Sequence, residues 1–196
     1  MIPSSTIYPA GTTPGFTLVE TLVAISVLLI VIVGPMTVAT NSARSTSFSS
    51  EQVQAFFLAQ EGLELAQQAR DDALLAVFPD FADGWDDFTD DGSGGEFADC
   101  LSGRGCGLEF AESGVTVREC NNDSCRLYYA SGNDRNRFTH DATNNEPTPF
   151  IREIRLTPST DSNQLQVVST VRWRTGPQSA EQVVELDTYL FNIYGN

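Results

Sequence analysis

Twenty-three consecutive residues, Thr21 to Ala43, carry no charge, and most of those up to Ala39 are Leu, Val, Ile or Ala. A helix of that length reaches about 35 Å, enough to cross the hydrocarbon core of a bilayer with some tilt. A single acid, Glu20, stands at the start of the run. A spanning segment tolerates a carboxylate there only at a cost, and usually with a dedicated partner. Ahead of it, Met1 to Gly15 is polar and uncharged. The chain has 196 residues, so the remainder beyond the apolar run suits one modest domain.

The junction between leader and apolar run reads Gly15-Phe16-Thr17-Leu18-Val19-Glu20-Thr21-Leu22, then Val23-Ala24-Ile25-Ser26. It closely resembles the prepilin signal of type IV pilins and type II secretion pseudopilins. The resemblance implies that a prepilin peptidase cuts between Gly15 and Phe16, that Phe16 becomes the N-methylated first residue, and that Glu20 is the assembly glutamate. The chemistry suits the residues. A membrane-face peptidase needs an extended, accessible bond; Gly15 adds no bulk, and Pro14 disfavours helix just before it. Cleavage would place a positive amine on Phe16, four residues before Glu20. That spacing allows pairing within one helix or to a neighbour's amine; the resemblance favours the neighbour. The leader holds no Lys or Arg, and the first basic residue of the chain is Arg44. Orientation is therefore taken from the resemblance rather than from flanking positive charge.

Composition narrows the functional classes. The net charge is −15, and all 11 basic residues are Arg. An acidic surface of this kind repels phosphate backbones, which argues against nucleic acid as a partner. His140 is the one histidine, so no histidine cluster can be built, and it reads as a solvated side chain in a polar loop. The four cysteines, Cys100, Cys106, Cys120 and Cys125, fall within 26 residues beyond the apolar run. In an exported chain an even count reads as disulfides, and the spacing lacks the C-x-x-C knuckles of a zinc site. Three pairings are open. The turn-like Asn121-Asn122-Asp123-Ser124 favours Cys120 with Cys125, leaving Cys100 with Cys106.

The pattern along the chain predicts four stretches: a leader (1–15), a membrane or assembly helix (16–43), an amphipathic continuation (44–79), and a head of acidic loop plus antiparallel strands (80–196). Gly34-Pro35 predicts a kink or local melting. Val53, Phe56, Phe57, Gln60, Leu63, Ala66, Ala73, Leu74 and Val77 recur at roughly helical spacing and read as the face that packs on the head. Phe57-Leu58-Ala59-Gln60-Glu61-Gly62-Leu63-Glu64 also resembles the second half of the first helix in pilin-like proteins. Asp80 to Asp99 has eight acids and four glycines in twenty residues and reads as loop. Within it, Asp87-Phe88-Thr89-Asp90-Asp91-Gly92 resembles half a calcium loop, making Asp87, Thr89 and Asp91 candidate calcium ligands. The twelfth position is Ala98, where such a loop needs a glutamate, which favours a solvated acidic loop.

Val115 to Arg118 and Arg126 to Tyr129 read as a hairpin around the cysteine turn, and Gly132 to Pro149 as a connecting loop. Phe150 to Leu156, the alternating Leu165, Val167, Val171 and Trp173, and the run with Val184, Leu186 and Leu190 read as an antiparallel meander. Helix laid on an antiparallel sheet is an α+β roll, in agreement with the pilin fold that the N-terminus implies.

No nucleophile elbow, phosphate-binding glycine loop or H-E-x-x-H motif occurs, which speaks against an enzyme. The resemblance implies a structural subunit with defined partners: other pilin-like subunits in a helical filament, the prepilin peptidase, an inner-membrane assembly platform, and the bilayer before assembly. The precursor would span the cytoplasmic membrane once, and the mature protein would lie in an extracellular pilus or pseudopilus. A minor tip subunit, with Asp80 to Asp99 and Gly132 to Pro149 as adhesive loops, is the alternative.

Overall fold

The computed structural model describes residues 15–79, 81–92, 94–111, 114–121, 125–131, 137–160, 163–174 and 180–194. The leader residues before Gly15, and the middle of the turn between Cys120 and Cys125, lie outside this set. The protein is α+β. A long helix, α1 (Leu18–Ala76), is followed by short helices α2 (Phe81–Phe88) and α3 (Ala98–Leu101). Seven strands make one antiparallel sheet: β1 (Cys106–Ala111), β2 (Gly114–Glu119), β3 (Arg126–Ala130), β4 (Arg137–Thr139), β5 (Glu146–Pro158), β6 (Gln164–Trp173) and β7 (Gln182–Phe191). Contacts divide the chain into two units, Met1–Ser47 and Phe48–Asn196.

In the first unit every described residue from Gly15 onward is exposed. An eighteen-residue window of α1 reaches a mean hydropathy of 2.7, so by length and composition this is a helix able to cross a membrane. Gly34 and Pro35 do not melt it, and α1 stays helical through both. Ser26 and Thr37 return their hydroxyl protons to the carbonyls of Leu22 and Val33, which hides those polar groups from an apolar surround.

The second unit is built on β5. One of its edges pairs with β6, which pairs with β7; this is the meander that the alternating residues predict. The other edge is shared. β3 pairs near the start of β5 (Arg126 with Ile151), and β1 touches it at a single register point, Cys106 with Ile154. The sheet therefore forks, with β1–β2 on one limb and β3–β4 on the other. The predicted hairpin is corrected here: β2 pairs with β1 and β3 with β4 and β5, so the strands flanking the second cysteine pair belong to different limbs. The segment read as loop from Gly132 to Pro149 contributes β4 and the first residues of β5.

The face of α1 laid on the sheet also differs from the expected stripe. Ala55, Leu58, Ala59, Gly62, Leu65, Ala66, Ala69 and Leu74 are buried, whereas Val53, Phe56 and Phe57 are exposed. Ala66 and Leu74 of the expected stripe are in the contact, and small residues interleaved with Leu58 and Leu65 fill the rest of it, because they let the helix axis come close to the strands. Gly62 sets the closest approach. A Cβ there would fall 2.6 Å from Ile154 Cδ1 and nearer still to Ser169 Oγ. Two apolar clusters result. One joins Ala55, Leu58 and Ala59 to Leu127, Phe150, Val171 and Trp173; the other joins Leu65 to Leu74 with Trp85, Phe88, Phe97, Leu108, Ile154 and Leu165.

Gly62→Val should force α1 off β5 and β6. A loss of about 1–3 kcal/mol is expected from overpacking, read as a lower thermal midpoint of the 48–196 fragment. An unchanged midpoint would mean that the helix does not rest on Gly62.

Candidate functional site

Gly15, Phe16 and Thr17 are non-helical and exposed, and among the described residues nothing lies within 4 Å of where a Gly15 side chain would start. α1 begins just after them for a local reason. Thr17 Oγ1 accepts the Glu20 backbone N–H at 3.3 Å, so Thr17 caps the helix and Glu20 occupies its third position. Thr17-x-x-Glu20 is a capping-box pattern, and the acid also lies at the positive end of the helix dipole. Glu20 therefore has a local role beside the one implied by the resemblance. The T-x-x-E spacing carried that signal in the sequence, although the assembly reading passed over it.

The cysteines pair as the turn suggested. Cys100–Cys106 closes α3 onto the start of β1, with Cα atoms 4.6 Å apart and both residues fully buried; Cys120–Cys125 spans 5.1 Å between Cα atoms. No cysteine is free. The first disulfide lies in the cluster around Leu74, Trp85 and Phe97, next to the acidic segment.

That segment is more ordered than its composition suggests. Trp85 and Phe88, three residues apart, fold it into α2 and bury their rings against Leu74 and Phe97. Of the candidate calcium ligands, Asp87 sits in the last turn of α2, and Thr89 Oγ1 donates to Trp85 O at 2.9 Å, ending the helix. Asp91 follows, while Asp90 Oδ1 accepts the Gly92 N–H at 2.8 Å. Helix replaces the alternating-donor geometry of a calcium loop at Asp87. Among the described residues no three His, Cys, Asp or Glu side chains converge to hold a metal ion.

Sequence reading missed a buried polar group in the fork of the sheet. Arg152, on β5, is almost wholly buried. Its Nη1 donates to Glu61 Oε2 at 2.6 Å and to Leu58 O at 3.3 Å, and its Nη2 to Leu108 O at 3.0 Å. One guanidinium thereby ties α1, β5 and β1 together. Gly62 is next to Glu61, so the close approach of the helix is what brings Leu58 O and Glu61 within reach. Beside Arg152, Glu109 on β1 accepts the Thr139 hydroxyl and, at 3.1 Å, the His140 N–H. His140 is buried, corrected here from the solvated side chain that its polar neighbours suggested. Its ring lies over Gly107, where any side chain would come within about 3 Å of it, and its Nδ1 faces Arg126 O at 3.3 Å. Burial first, then repulsion by Arg152, lowers the His140 pKa from 6.5 to about 3, against a smaller upward pull from the Arg126 carbonyl.

Comparison with protein-family models, with curated proteins and with solved structures finds no match to this chain.

His140 makes the head acid-sensitive with a defined sign. The unfolded chain takes up a proton near pH 6.5, whereas the folded one holds off until about 3. Stability is therefore complete above 6.5 and is lost as pH falls through that window, at up to about 1.4 kcal/mol per pH unit from this group. Urea unfolding of the 48–196 fragment at pH 7, 5.5 and 4.5 checks it. His140→Gln should remove that part of the slope, and an identical slope in the variant would contradict the assignment. Arg152→Met should cost about 2–4 kcal/mol at pH 7, because the carbonyls of Leu58 and Leu108 lose their buried donor, and the cost should shrink at lower pH because His140 is freed of the Arg152 repulsion.

Proposed function

We propose that this chain is a type IV pilin-like structural subunit. It is made as a precursor anchored by α1, cut between Gly15 and Phe16, N-methylated on Phe16, and assembled through α1 into an extracellular pilus or pseudopilus. One observation carries the reading: a glycine-phenylalanine junction with an acid five residues after the glycine opens directly into a helix whose apolar residues from Leu18 to Val38 are all exposed. A signal anchor accounts for the apolar length alone. It gives no reason for Gly15, Phe16 and Glu20 to stand together at its entrance.

What further supports the reading is the distribution of burial along α1. Its second part lies on an antiparallel, disulfide-stapled sheet, while its first part has no cover within the described residues. In lipid that first part is at home. In a filament it would be covered by the same part of its neighbours. Transfer from lipid to a helix bundle brings little hydrophobic gain, so close packing and polar pairing must supply the association energy. Glu20 supplies the pairing in this reading, with the Phe16 amine of the adjoining subunit as its partner.

Intact-mass and N-terminal peptide analysis of the protein recovered from its own host tests the processing step. A mature chain starting at methylated Phe16 is expected, and Gly15→Val should leave the full precursor in the membrane fraction. Assembled material that still starts at Met1 would overturn the proposal.

A further inference from the structure

Charge is distributed unevenly over the second unit. From Asp71 to Gly103 there are ten acids and no arginine, two thirds of the chain's net charge in one sixth of its length. α2 holds this stretch at one end of the unit. The path of Gly84 presses on Ala73 and Leu74 near the end of α1, and Trp85 and Phe88 sit in the cluster with Leu74. Because those two rings point inward, the acids between and around them point out: Asp83, Asp86, Asp87, Asp90 and Asp91 are all exposed.

Three arginines meet at the other end. Register places Arg126, Ile151 and Arg172 side by side across β3, β5 and β6, on the sheet face opposite α1. With Arg174, Trp173 and Pro149 they line a cleft of about 350 Å³ in which Glu181 is the one carboxylate among the described lining residues. Arg172 Nη2 is held by Glu153 at 3.0 Å, while its Nε is buried without a hydrogen-bond partner among the described residues. Arg174 is two-thirds exposed, and its guanidinium stands 3.7 Å from Glu181, a loose pairing that a second carboxylate could replace. This cleft is at the end of the unit where Trp173 Nε1 donates to Glu51 at 3.2 Å. Glu51 and Leu74 are 23 residues apart on α1, so the two ends are separated by about 35 Å along the helix.

We infer that the arginine-lined cleft of one copy receives the acidic α2 segment of the next copy, in a head-to-tail contact. The inference rests on the filament reading and names a contact surface for it. An antiparallel two-fold pair could also bring such patches together, but copies anchored by α1 in one membrane run parallel, and parallel copies can pair them only head to tail. Each copy offers an acceptor at one end and a donor at the other, which is the heterologous arrangement that propagates without closing. The chain itself supplies the complementary partner, which is what favours a second copy over an unrelated anionic ligand. Charge complementarity of this kind fixes orientation and partner choice more than it adds affinity. The guanidinium plane also suits a carboxylate geometrically, since two parallel N–H bonds can meet its two oxygens.

Arg174→Glu and Asp87→Arg are both exposed changes and should leave the fold intact. In the full chain expressed in its host, each alone should lower the amount recovered in sheared filaments by about fivefold, and the two together should restore it. A second measurement does not depend on filament yield. The full chain carrying Arg174→Cys and Asp87→Cys, oxidised in intact membranes, should give a ladder of dimers, trimers and higher species, because each copy joins the next through unlike ends. Dimers alone, or no crosslink, would overturn the inference whether or not Gly15 is processed. Single reversals that are silent in filaments, or that reduce binding of an acidic polysaccharide and are not rescued in combination, would overturn it too while leaving the filament reading in place.

Discussion

The apolar residues from Leu18 to Val38 find nothing to bury against among the described residues of their own chain. That constraint governs what the protein can do. In water such a surface would drive aggregation; in a bilayer it is satisfied, and beside copies of itself it is satisfied again. A helix that is at ease in both settings can pass from one to the other at little hydrophobic cost. The few polar groups along it then decide where it goes. Thr17, Ser26 and Thr37 are neutralised locally by bonds to their own helix, which leaves Glu20 as the only charge before Arg44. In the proposed assembly that lone charge would serve as an address, because a partner of opposite sign at a fixed height is worth far more in an apolar surround than at a wet surface.

The head meets a different requirement, that of holding a helix and a forked sheet in fixed relation. Arg152 does this by serving three elements at once. Burying a guanidinium is unfavourable unless its donors are used; here Glu61, Leu58 O and Leu108 O take the two Nη groups, while Nε has no partner among the described residues. Apolar packing alone would let α1 slide by a turn along the sheet. A buried donor that must meet one carbonyl and one carboxylate on successive turns of the helix does not allow it. Gly62 makes this possible by removing the side chain that would otherwise hold the helix away.

Much of this was legible in the sequence, for physical reasons. The apolar run needs only composition to read, and β5, β6 and β7 follow from an alternation that a one-sided sheet imposes. The stripe on α1 was right at Ala66 and Leu74 but misplaced at Val53, Phe56 and Phe57, because large apolar residues were taken as the contact, whereas close packing there selected Ala55, Ala59 and Gly62. α2 was hidden by its charge: eight acids outweighed the spacing of Trp85 and Phe88, which is the signal that folds it. His140 and Arg152 could not be found from one sequence, since their burial depends on the fork between β1 and β3, and that fork is a matter of long-range pairing. The Thr17–Glu20 cap was readable and was missed, because Glu20 already had another explanation.

Those two explanations of Glu20 are separable by one substitution. Glu20→Gln keeps a residue able to complete the capping box but removes the charge, so helix initiation and membrane insertion should be preserved. The decisive quantity is the ratio of this variant in sheared filaments to the same variant in membranes, set against wild type. If Glu20 pairs with the Phe16 amine of a neighbour, the membrane level should be normal and the filament fraction nearly empty. Normal incorporation of Glu20→Gln would mean that Glu20 only starts the helix, and the account of charge-directed assembly would fail.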